Sequence, residues 1–456
     1  MKQHNRSMLS LSAITIAISL ALTGCGENTR VVAEVPPKQD HDHDHDHDHD
    51  LSGRIVFTTA ADDHAYIFDL ATESIIKDVH LSAASAALYA SPDYRYAVAV
   101  QRNEGVVNFI DSGYETEAHG DHFHFNEHDP ELLSFELFGE LPTHYNYYAH
   151  RGVVFFDGRV GTPASVYAIS DHSLSEGRAL ASHGFTRNQH GAAEIRGNHL
   201  FVSYRSDQAE GVLPEYVEVY NRHHDHFDFV QRFTETCPNL HGSAITETYV
   251  AFGCGDGVLV INEADEGYEA HKIANVESIV DAGSRIGTLY ASDNTGVFVG
   301  RAGQQFYWVD VASVAHDHDH DHAHSLDEEH HSAMTQIQWR GEANAEATIV
   351  RAGFNYSGNR FAILDNTGML TIVRFRTDRY EIQSQFEVVA NMGEQLPHMA
   401  FSPVNHSAYI SDPLAQEILV VDLHDGEITE RFSLDVAPAS LVWLGFTQED
   451  DGHHHH

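Results

Sequence analysis

Basic residues are scarce in this chain: 26 Lys and Arg stand against 68 Asp and Glu, a formal net charge of −42. Such a surface repels polyanions, which excludes nucleic acid and anionic membrane surfaces as partners and favours cations. Cysteine is almost absent, with three in 456 residues. None is in CxxC spacing, so a thiolate cage for zinc is not expected. Only six methionines occur. Without a Met-rich or Cys-rich motif, the soft-ligand chemistry that selects Cu(I) is missing. There is no GxSxG elbow, no HExxH, no P-loop and no GxGxxG ahead of a helix, so no catalytic signature is present and no enzyme is expected. Long helical periodicities are missing as well, which points to an all-β chain.

The first residues carry an address. Lys2 and Arg6 form a short positive region ahead of an apolar core from Met8 to Leu22. That core is too short to persist as a spanning helix and reads as a signal peptide, residues 1–24. Leu22-Thr23-Gly24-Cys25 matches the lipobox of bacterial lipoproteins, which makes Cys25 the acylated first residue of the mature chain. Gly26 follows instead of Asp, the sorting pattern of the outer membrane. The expectation is a periplasmic protein touching the membrane only through its lipid, with a soluble periplasmic chain as the alternative. The other cysteines, Cys237 and Cys254, form an even pair in an oxidising compartment. They can close a disulfide or remain two buried thiols.

From Cys25 to Asp50 the chain reads as a disordered tether without apolar periodicity, ending in His41-Asp42 repeated five times. From Leu51 onward, short runs of Val, Ile, Tyr and Phe are bounded by Gly, Asp and Asn, which are strand signals. The runs repeat. Leu-Pro-His398-Met-Ala-Phe-Ser-Pro leads into Ala-Tyr-Ile-Ser-Asp412 and Ile-Leu-Val-Val-Asp422; Leu-His241-Gly-Ser-Ala and Gln-His190-Gly-Ala-Ala open similar units. A unit of three or four strands every 40 to 60 residues or so marks a β-propeller. Residues 51–447 are assigned to it, with His-rich insertions at 113–130 and 313–332 and a disordered tail at 448–456. Pairing the last strand with the first completes eight blades; seven is the alternative. The closing His453–His456 run has the look of an added tag and carries no weight.

Histidine, by contrast, is abundant: 37 residues, most of them clustered. His41, His43, His45, His47 and His49 alternate with aspartates, as do His316, His318, His320, His322 and His324 with their neighbours up to Ala323. Imidazole suits Zn, Cu and Ni, and carboxylates lower the cost of bringing in a dication. Alternate side chains of an extended chain lie about 6.5 Å apart, so these arms collect metal loosely. A denser cluster is His119-Gly120-Asp121-His122-Phe123-His124, followed by His128, where a curled loop would place several ligands together. His223-His224-Asp225-His226 is a shorter version. His150, His190, His241 and His398 stand just ahead of four inner strands, where they would line one mouth of the channel. They are either core histidines bonded to backbone or a tetrahedral zinc site.

This pattern resembles the AztD family of periplasmic zinc metallochaperones, in the Asp-His arm, the long His/Asp insertion at His316–His331 and the propeller repeat from Leu51 to Phe446. The resemblance implies Zn2+ binding and direct transfer to the solute-binding protein of a zinc ABC transporter, with His119, His122, His124 and the arm as ligands. The lipobox is a departure from a freely diffusing chaperone. A lipid-anchored zinc reservoir without a dedicated client is therefore the rival reading, and a metal-dependent propeller hydrolase the third.

Overall fold

The computed structural model describes residues 53–447 apart from 85, 120–121, 207–208, 210, 266 and 315–331. All of them lie in one compact unit, Asp50–His456. The expected tether, its histidines His41 to His49, Cys25, His316 to His324 and the tail fall outside the described residues.

The chain is a succession of antiparallel four-stranded units, the all-β propeller expected from the repeats. Five sheets have four strands, one has five, and an eight-stranded sheet is two units joined by a single parallel pairing of Ser182 with His226. Counted this way the units number eight. The first blade closes the ring: Leu441–Leu444 pairs antiparallel with Arg54–Thr58, which continues to His64–Asp69 and Ser74–His80. An edge that would otherwise template aggregation is thereby paired.

Burial explains the composition of each strand position. Second strands are covered on both faces by neighbouring blades, so they are buried at all or nearly all residues, throughout in Tyr96–Gln101 and Arg360–Asp365. This is why they read as continuous apolar runs and not as alternation. Outer strands such as Ser74–His80 are exposed at nearly every position and are mostly polar. The apolar clusters accordingly lie between blades: Phe201 and Val217 of the fourth blade pack with Val250 and Phe252 of the fifth. α-Helix is confined to Asp171–Ser175 and Glu277–Asp281 among the described residues, and no helix there is long and apolar enough to cross a membrane.

Antiparallel pairing also sorts the connections. Inner strands begin on one face, here the lower, and end on the other, the upper. Turns between first and second strands, and between third and fourth, are on the upper face. The hairpin Tyr114–His119 and His122–Glu127 is inserted after the third strand of the second blade, and the turn His223–His226 joins third and fourth strands of the fourth. Both are therefore upper. His190 and His241 precede the inner strands Ala193–Arg196 and Ser243–Ile245, on the lower face.

Candidate metal centre

Three imidazoles meet at the lower mouth. His144 lies on the inner strand Pro142–Tyr148 of the third blade, His190 ahead of the fourth and His241 ahead of the fifth; their ligand nitrogens all lie within 4.8 Å of one another. The backbone explains how each arrives. A bulge between Pro142 and His144 re-aims the start of its strand, a device common beside functional sites. His190 and His241 are each followed by glycine because the backbone there is crowded. A Cβ at Gly191 would sit 2.5 Å from the Phe155 ring, and Gly242 has φ +78° with a Cβ position 2.7 Å from the Gly287 carbonyl oxygen. Gln189 pins the approach to His190: its Nε2 donates to Ser203 O at 2.8 Å and its Oε1 accepts from Arg205 N at 3.0 Å. Cys237 and Cys254 form a disulfide whose loop encloses His241.

The inner nitrogens are aimed by outer partners. His190 Nδ1 donates to Asp157 Oδ2 at 2.8 Å, and that oxygen also accepts Thr143 Oγ1 at 2.7 Å and Arg102 at 3.3 Å. His241 Nδ1 donates to the Gly287 carbonyl at 2.7 Å. With Nδ1 protonated in both, each Nε2 presents a lone pair to the channel. Carboxylates and carbonyls orient metal-bound imidazole in this way. His144 Nε2 stands 3.3 Å from His190 Nε2. A tetrahedral zinc with bonds of about 2.0–2.1 Å has ligand nitrogens about 3.3 Å apart, so the separation fits. Without metal the same contact is an N–H···N bond. Burial, and next the neighbouring His190 and His241, push the His144 imidazole down to about 4; burial also lowers His241. These rings are held neutral, the form that ligates. Three nitrogens leave a fourth position open, and the partial exposure of all three residues leaves the site reachable.

The other expected ligands are distributed differently. His150 does not join His190 and His241. The inner strand ends at Tyr148, so His150 falls in the upper turn and pairs with Asp93 Oδ1 at 2.5 Å; His144, at the strand's beginning, takes the place proposed for it. His398 lies in the eighth blade, where Leu441 N donates to its Nδ1 at 3.4 Å and burial beside Arg351 lowers its pKa to about 3. His119 pairs with His122 and Glu117 with His124 in a regular hairpin, so the backbone is extended where a curled loop was expected. His124 is exposed; His128 bonds the Asp129 carbonyl through Nδ1 at 3.0 Å. Asp121 is outside the described residues.

Two further clusters are grouped for metal: Asp63, His64 and His80, and His223, His226 and Asp228. The first was not read from the sequence, because it depends on the cross-strand pairing of His64 with His80. His144 could have been found from alternation: His144, Asn146 and Tyr148 are the polar positions of one strand side, matching Glu194 and Ser243 in neighbouring blades. Asn146 Nδ2 donates to Glu194 Oε1 at 3.0 Å and to Ser243 Oγ at 3.2 Å, forming a polar layer next to the imidazoles. Burial raises the Glu194 carboxyl to about 8.

No family model matches the chain. The chain is 22% identical over 358 residues to "Zinc chaperone AztD" of Citrobacter koseri, covering 78% of each protein. The crystal structure of Citrobacter koseri AztD superimposes with a TM-score of 0.70 at 20% identity, covering 88% of this chain and all of the other. The apo form of the same protein gives 0.69 at 19% identity, over 87% of this chain and 98% of the other. In sequence and in fold, the resemblance to the AztD zinc-chaperone family holds over most of the chain.

Proposed function

We propose that this protein is a periplasmic zinc chaperone that holds the ion on His144, His190 and His241 and passes it to the solute-binding protein of a zinc ABC transporter. One observation carries the reading: three imidazoles from three blades converge within 4.8 Å, two of them oriented by Asp157 and Gly287. The likeness to a zinc chaperone supports zinc as the cargo. The His/Asp segments around His41–His49 and His316–His324, with the hairpin His119–His128, act as loose collectors, and Cys25 carries the lipid. An open fourth position serves hand-over, since an incoming ligand can bind before one of the three lets go.

The lipobox favours a second reading, a tethered reservoir without a dedicated client. The open position is also what a zinc hydrolase needs, so a panel of esters and phosphates belongs in the test. The decisive experiment mixes the zinc-loaded mature chain with apo solute-binding protein in the presence of excess chelator. Transfer that the chelator does not intercept, and that is lost in the His144→Ala/His190→Ala/His241→Ala variant, supports the chaperone. Complete interception leaves the reservoir, and zinc-dependent turnover on the panel revives the hydrolase.

A further inference from the structure

The channel widens into a cavity of about 690 Å³ that opens among the turns between first and second strands and reaches inward to His398, just ahead of the inner strand Met399–Phe401. Its walls are largely aromatic: Tyr89 and Tyr290 from two inner strands, with Phe354 and Phe401 from two more, while Trp443 borders it from the buried core behind. Arg351, on the inner strand Ile349–Phe354, also lines it. In a chain with 68 carboxylates and 26 basic residues, a cation set apart from the carboxylates of the described residues is unexpected. Among the described residues the Arg351 guanidinium donates only to the Val350 carbonyl, at 2.8 Å, and it is partly buried. The one carboxylate on the cavity wall is held elsewhere: Asp293 accepts Tyr148 Oη at 3.1 Å and the Glu247 amide at 2.6 Å.

We propose that this cavity binds a small planar organic anion, an aromatic carboxylate, with its carboxyl on Arg351 and its ring against the tyrosine and phenylalanine faces. A guanidinium presents parallel N–H donors that match a carboxylate, and the pairing strengthens away from bulk water. Aromatic walls supply offset or edge-on contact to a flat ring. The volume is that of a small-molecule site. Zinc does not fit this cavity, because a guanidinium repels a dication and the one imidazole lining it, on His398, has its Nδ1 bonded to the Leu441 amide. The site is thus chemically distinct from the imidazole centre at the lower mouth.

The test titrates the mature chain with naphthoate and with uncharged naphthamide, following quenching of tryptophan fluorescence. Naphthoate is expected to saturate one site and to bind at least about tenfold tighter than the amide. Arg351→Met should bring naphthoate to the level of naphthamide, Arg351→Lys should fall between, and zinc affinity should stay unchanged in both. Equal binding of acid and amide by the unaltered chain overturns the proposal, as does the absence of saturable naphthoate binding. Full naphthoate affinity in Arg351→Met does the same. The acid-against-amide comparison needs no variant, so it decides the matter even if Arg351→Met does not fold.

Discussion

His190 and Asp157 form the smallest unit of the proposed centre: one carboxylate oxygen sets the tautomer and aim of one imidazole. Asp157→Asn keeps an acceptor in place but removes the charge that raises ligand basicity. Zinc affinity, measured by competition with a chelating dye, is expected to fall about 10- to 100-fold; an unchanged affinity would reduce Asp157 to a packing role. Protons compete with zinc at the same nitrogens. Because burial depresses His144 to about 4 and lowers His241, both rings stay neutral at a pH where ordinary imidazoles, with pKa about 6.5, are charged. Zinc should therefore leave in two steps on acidification, from the His/Asp arms below about pH 6.5 and from the centre at lower pH. Deleting residues 41–50 should shrink only the first step, read as zinc bound per chain against pH. A single step at the ordinary imidazole pKa would count against a desolvated centre. At this scale the sequence was half legible. His190 and His241 stand out because each precedes a glycine. His144 is marked only by the alternation that also places Asn146 and Tyr148 on its side of the strand, and the bulge that aims it is announced by no local pattern.

The elements deliver these rings to one point, and their backbone tolerances are narrow. Gly242 combines a left-handed φ of +78° with a Cβ position 2.7 Å from the carbonyl oxygen that accepts from His241. Gly242→Ala should therefore cost about 1–3 kcal/mol of stability through backbone strain alone. It should also weaken zinc binding by displacing Gly287 from His241. Thermal unfolding and dye competition on the same variant check the two effects, and a variant with native melting and native affinity would refute the crowding argument. The blades themselves were readable in advance. Second strands sandwiched between neighbours had to be continuously apolar, and the last strand, Leu441–Leu444, had to find a partner at the other end of the chain. The insertion around His119–His128 was harder, since a His-rich stretch looks the same whether it curls or extends; its register pairs Tyr114 with Glu127 through to His119 with His122. The grouping of His64 with His80 was invisible for a related reason: strand register belongs to the sheet and is not written in either strand.

Considered as a whole, the proposed zinc sites are of two kinds, which would respond differently to unfolding. The centre draws one ligand from each of three blades, so it exists only when the ring is assembled. The His/Asp repeats need no fold to bind, and an unfolded chain keeps them. Metal bound equally in both states cancels from the stability difference, and metal bound only by the native state adds RT ln(1 + [Zn]/Kd). At 100 times the dissociation constant that is about 2.7 kcal/mol, which for a body of this size corresponds to a rise in Tm of about 3–5 °C. The rise should survive deletion of residues 41–50 although less zinc is bound. It should vanish in His144→Ala/His190→Ala/His241→Ala although the arms still bind. Calorimetric scans with matched free zinc distinguish these cases. Loss of the shift in the arm deletion would mean that the arm supplies a ligand to the native centre. Persistence of the shift in the triple variant would place the fold-dependent site elsewhere, with the hairpin histidines His119, His122 and His124 next to be replaced.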